Sequence, residues 1–91
     1  SMGEVSDLHA DDDSIKWHAP GFGSVFKYLV VWQDDFGNIL GQEIMDPNQS
    51  PPDNYNHYDV TNPDLLDAGL WFGVSAFSSS YDFGTPVFVE M

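Results

Sequence analysis

The 91-residue chain has no cysteine, no arginine and only two lysines, Lys16 and Lys27. Without cysteine there is no disulfide and no thiolate metal site, and the redox compartment is left unwritten. Fifteen acidic residues face those two lysines, for a formal charge of −13. Such a surface repels phosphate backbones and anionic headgroups, which argues against nucleic-acid binding and against association with acidic membranes. It favours cations and basic partners instead. No apolar run reaches the length of a membrane span, so membrane insertion is not expected. No basic segment followed by an apolar one opens the chain in the manner of a secretory signal. No segment keeps a helical apolar period over three turns, and no repeat is visible.

What is present is apolar and aromatic. Hydrophobic residues make up 42% and aromatic residues 15% of the chain, enough for a folded core despite the charge. The length fits one domain. Ser1-Met2 reads as the remnant of a cleaved tag, which leaves residues 4–91 as the domain and 1–3 as a leader to it. Large apolar groups recur two residues apart in Ile15-Lys16-Trp17, in Tyr28-Leu29-Val30-Val31-Trp32 and in Leu70-Trp71-Phe72-Gly73-Val74. That is the period of a strand with one face buried. The pattern predicts strands over 4–10, 14–18, 25–33, 39–45, 55–61, 70–77 and 85–90, separated by Asp-, Gly- and Pro-rich turns. Trp17, Tyr28, Val30, Trp32, Phe72 and Val74 are then expected inside. Leu65 or Leu66 plugs the core from a connection. The fold class is all-β, a seven-stranded antiparallel sandwich of two sheets.

Trp17 followed by Pro20, then Tyr28-x-Val30-x-Trp32, then Phe72-x-Val74-x-Ala76 with Gly84 beyond, resembles a fibronectin type III module in order and spacing. The likeness runs from Glu4 to Met91. It implies an immunoglobulin-like sandwich in which the third and sixth strands are neighbours and the loops sort to two poles. The chain departs from the family at Leu70, where a tyrosine usually pins the corner before the sixth strand. The loop over 46–54 is long for the family, and the integrin-binding Arg-Gly-Asp tripeptide is missing.

Under that topology one pole collects Asp11, Asp12, Asp13, Asp34, Asp35, Asp64 and Asp67. Calcium takes six to eight oxygens, so this acidic pole is a candidate calcium site. The same aspartates also suit turns, where their side chains bond to nearby backbone. The opposite pole carries Phe22, Tyr81, Asp82 and Phe83, a candidate ligand surface of rigid rings beside Ser and Asn. The competing role for Phe22 and Phe83 is to seal the end of the core. On the strands, Leu29, Val31 and Trp71 are expected to share the outer face of one sheet. They would form an apolar patch suited to a neighbouring domain or a protein partner. Cross-strand packing alone also rewards such residues.

Catalysis finds no support in the sequence. His9, His18 and His57 are scattered with no local metal-clamp spacing. Ser78-Ser79-Ser80 has no base nearby in the chain. The expectation is a non-catalytic, fibronectin type III-like module of a larger extracellular or cell-surface protein, serving as a spacer and a protein-binding or adhesion domain. The alternatives are an accessory carbohydrate-binding module of a secreted glycosidase and a calcium-dependent adhesion module. No cofactor other than calcium is expected.

Overall fold

The computed structural model describes all of residues 1–91. Seven strands follow one another in the chain: β1 (Ser6–Asp11), β2 (Ser14–His18), β3 (Lys27–Gln33), β4 (Ile39–Met45), β5 (Asn56–Asp59), β6 (Trp71–Phe77) and β7 (Val87–Glu90). One short 3-10 turn, Pro63–Leu65, lies between β5 and β6. The strands form two antiparallel sheets, one in the order β1-β2-β5 and one in the order β4-β3-β6-β7. The fold is the expected all-β sandwich of seven strands in two sheets.

The alternation of the sequence becomes the packing of the sheets. Ile15 and Trp17 on β2 face Tyr28 and Val30 on β3 and Phe72, Val74 and Ala76 on β6, all buried. Trp17 meets Tyr28 edge to face, with centroids 5.2 Å apart, an arrangement that suits the ring quadrupoles. Trp32 lies half-buried at the rim of this core, against Tyr58 and Phe72. It was expected fully inside. Gly41 lies directly across from Trp32, and a side chain there would run into the indole. An aromatic laid over a cross-strand glycine fills the space that the missing side chain leaves.

Several strands are shorter than their apolar pattern. β1 starts at Ser6, not at residue 4, although Val5 is buried ahead of it. β3 starts at Lys27, not at 25, and β7 at Val87, not at 85. β5 covers only Asn56–Asp59, and Val60 is buried beyond its end. Val5 and Val60 are buried by the sandwich without joining a ladder, whereas Val25 is half-buried and Thr85 and Pro86 are exposed. β1 also carries a bulge between Ser6 and His9, with Asp7 in a left-handed conformation at φ 54°.

Residues 1–3, expected to be a leader, pack onto the domain. Met2 is buried in the core cluster, the Gly3 N–H donates to the Phe22 carbonyl at 3.1 Å, and Gly84 leaves no room for a side chain beside Gly3. The chain therefore enters at the pole that carries Phe22 and Asp82. It leaves at the other, where the Met91 N–H donates to the Leu70 carbonyl at 3.0 Å.

Candidate functional surfaces

The acidic pole is built from turns. Asp34 organises the β3–β4 connection: its carboxylate accepts from the N–H groups of Phe36 and Asn38, both at 2.9 Å, and from the Asn38 side chain at 2.8 Å. These donors, the Asn38 side chain foremost, hold its pKa below the ordinary carboxylate value. Asp35 accepts from the Trp71 indole N–H at 3.0 Å. Asp11 pairs with Lys16 at 2.7 Å, and the lysine's hydrogen bond and charge lower the pKa of Asp11. Asp12 and Asp67 occupy left-handed turn positions, at φ 53° and 56°, where Asp is among the tolerated residues. The Asp13 carbonyl caps Val60 at 2.9 Å. The Asp64 N–H is taken by the Asn62 side chain at 3.0 Å. No three of the chain's acidic groups and histidines come together in a way that could hold a metal ion. The turn role of these aspartates is the one that the geometry favours.

The opposite pole is aromatic, and its rings are organised around Phe77. This side chain points to the outer side of its sheet and is nevertheless buried. Phe83 stacks on it at 4.7 Å, Tyr81 stacks at 6.1 Å, and Phe26 meets it edge-on at 6.2 Å. Tyr81 sits at φ 62°, an uncommon conformation for a bulky residue. It is held there by its own N–H bond to Ser78, at 2.9 Å, and by the bond from the Ser78 N–H to the Asp82 carbonyl at 3.1 Å. Asp82 also pairs with the N-terminal ammonium at 3.4 Å. Phe22 lies over Gly3. Of the four residues expected to contact a ligand, Phe22 and Phe83 each touch the domain on one side but stay exposed, at 61% and 47%, so neither is the buried seal that closing the end of the core would require. Tyr81, at 70% exposure, presents the most open ring of the group.

The third surface is the outer face of the β4-β3-β6-β7 sheet. Leu29, Val31 and Trp71 lie on it, as expected from the strand period. Leu29 is opposite Ile44 on β4, and Val31 is opposite Gly73 on β6, which in turn faces Phe88 on β7. Phe88 covers Gly73 so closely that no side chain fits there. Ile44 and Phe88 extend the patch to both edges of the sheet, and the sequence reading missed them. Both sit at positions whose partner across the ladder was already an outward apolar or glycine residue. Knowing the register is what would have found them. Ile44 is 56% exposed, Phe88 39% and Trp71 36%. This open face offers a partner a continuous set of apolar side chains across the hydrogen-bonded strands β4, β3, β6 and β7.

A fourth surface was also missed. The three-stranded sheet gathers all three histidines on its outer side. His9, Lys16 and His57 form one cross-strand row, and His18 lies beyond it. Tyr55 stacks flat on His18 at 3.9 Å and meets His9 edge-on at 5.1 Å, while its hydroxyl donates to Asp7. That hydrogen bond to a carboxylate raises the Tyr55 pKa. His9 Nδ1 donates to the Asp7 carbonyl at 2.8 Å, and His18 Nε2 to the Asp53 carbonyl at 2.9 Å. The signal was in β2, where Lys16 and His18 alternate with Ile15 and Trp17.

No family model and no curated protein matches the chain.

Proposed function

We propose that the chain is a non-catalytic, fibronectin type III-like module of a larger extracellular or cell-surface protein, acting as a spacer and as a protein-binding domain. The observation that carries the binding role is the apolar outer face formed by Ile44, Leu29, Val31, Trp71 and Phe88. An antiparallel sheet that faces water ordinarily carries polar residues on that side. The family reading draws support from β3 lying beside β6 and from the placing of Trp17, Tyr28, Val30, Phe72, Val74 and Ala76 in one core. Entry and exit of the chain at opposite poles suits a spacer.

The test is an NMR titration of the labelled chain with the neighbouring domains of its parent protein. Shifts centred on Leu29, Val31, Trp71 and Phe88, lost in Trp71→Ser, are the expected result. Silence of these amides towards every neighbouring domain and every candidate partner would reduce the module to a spacer. The exposed Tyr81 ring favours one second reading, an accessory carbohydrate-binding module. Soluble polysaccharides would then shift the amides of residues 78–84 and leave the sheet face unmoved.

A further inference from the structure

The two sheets have four edges, and three of them are closed. β1 and β7 run side by side, each covering the other's flank. The edge of β5 is occupied by a side chain: Asn48 Oδ1 accepts from the His57 N–H at 2.9 Å, and Asn48 Nδ2 donates to the His57 carbonyl at 3.0 Å. One residue thereby supplies the donor and acceptor that a neighbouring strand would bring. β4 has no such cover. It pairs with β3 on one side and with nothing on the other, and its seven residues, Ile39–Met45, include no proline and no lysine. Of the other devices that blunt an edge, β4 has a bulge near Ile39 and one charge on the core-side row, Glu43, which is also the group that a cationic partner would meet.

The side chains along β4 divide by face. Ile39, Gln42 and Ile44 lie on the outer face, level with Gln33, Val31 and Leu29 of β3. Gly41, Glu43 and Met45 lie on the other, level with Trp32, Val30 and Tyr28. A strand added at β4 would therefore set one row of side chains beside Ile44, continuous with the apolar face, and the alternate row beside Glu43. No cation of the chain is free to serve Glu43. Lys16 is paired with Asp11, Lys27 with Asp46 at 3.0 Å, and the N-terminal ammonium with Asp82.

We infer that β4 is a strand-addition site for an extended segment of a partner protein in which apolar residues alternate with lysine or arginine. Main-chain pairing to the free edge supplies affinity, and the two alternating rows supply selectivity. Charge decides between this occupant and a second copy of the chain. Two copies bring −13 against −13, whereas a basic segment is drawn in by the same field. The inference rests on the protein-binding reading above and adds to it the edge and the chemistry of the partner.

The test uses two blocked eight-residue peptides, one alternating valine with lysine and one alternating valine with glutamate, titrated into the labelled chain. The lysine peptide is expected to shift the β4 amides and to protect from exchange those that face away from β3. Its affinity should fall about tenfold between low and high salt, as screening predicts. Ile44→Lys, at an exposed position, should weaken it by about tenfold. Glu43→Lys should transfer preference to the glutamate peptide. The inference is overturned if the lysine peptide perturbs only the aspartate turns of the acidic pole, if both peptides bind the wild type alike, or if the chain self-associates through β4 more strongly as salt rises. Neighbouring domains that dock on Trp71 and Phe88 while the lysine peptide ignores β4 would sink this inference and leave the binding role standing.

Discussion

The side-chain amide of Asn56 donates to the Tyr28 hydroxyl at 3.2 Å in the interior of the sandwich. Asn56 is fully buried, and its Oδ1 accepts from the Asn48 N–H at 2.9 Å. The pair thus ties the β4–β5 connection to the core. Trp17 Nε1 points into the same region with no well-formed hydrogen bond of its own. Replacing Asn56 by Leu strands both the Asn48 N–H and the Tyr28 hydroxyl. The expected loss is about 1–3 kcal/mol for the orphaned groups, read as a lower urea midpoint. Tyr28→Phe should cost less, because it breaks one hydrogen bond and not two, orphaning only the Asn56 amide.

Alkaline pH should destabilise the domain through its tyrosines. Burial raises the pKa of Tyr28 above that of an unfolded tyrosine, outweighing the pull of the nearby Trp17 indole and the Asn56 amide, and burial also raises Tyr58. A raised folded pKa means that the stability is fully present below the unfolded value. It is lost as pH climbs through the folded one. Thermal melts from neutral to strongly alkaline pH should therefore show a falling limb, shallower in Tyr28→Phe. An identical limb in the variant would remove Tyr28 from the cause.

Asp34 works in the opposite sense. Its folded pKa is depressed by the Asn38 and Phe36 donors. Its contribution is present above the ordinary carboxylate range and lost as pH falls through the folded value. The stability gap between wild type and Asp34→Ala should be constant around neutrality and close in acid. A gap that persists at the lowest pH would assign the effect to turn geometry alone.

Gly73 and Phe88 give a packing prediction. A valine at Gly73 must displace the Phe88 ring from the outer face. Gly73→Val should destabilise the domain by about 1–3 kcal/mol, as overpacking does. It should also expose Phe88, visible as a shifted aromatic NMR signal. Double replacement with Phe88→Ala should recover part of the loss.

Calcium and magnesium are expected to raise the melting temperature by the same small amount, since the aspartates of the acidic pole are spread over separate turns. Screening of a net charge of −13 treats the two divalent ions alike. A shift several degrees larger with calcium would indicate an oxygen cage and revive the calcium-dependent reading.

The strand period of two carried most of the fold. It placed Phe72 inward and Trp71 outward, and it delimited β2 and β4 to the residue. It missed where burial continues past the ladder, as at Val5 and Val60, because an apolar side chain reads the same whether or not its backbone is paired. The surfaces were legible in proportion to their locality. Leu29 and Val31 announce themselves within one strand. Ile44, Phe88 and the histidine row depend on which strands are neighbours and in what register, which local patterning does not encode. Asn56 looked like an ordinary polar residue, since nothing nearby in sequence reveals a partner on β3.

The opposite exits of the chain carry a mechanical consequence. β1 and β7 lie side by side and run the same way, from the aromatic pole towards the acidic one. A pull on the two ends would drag them past one another along their length. The ladders that hold β1 to β2 and β7 to β6 would then be loaded in shear, their bonds sharing the force instead of opening one after another like a zip. With its end strands loaded in this way, the domain is arranged as a stiff link. In the proposed spacer role, a pull would stretch the connections on either side of the domain before it sheared the domain itself.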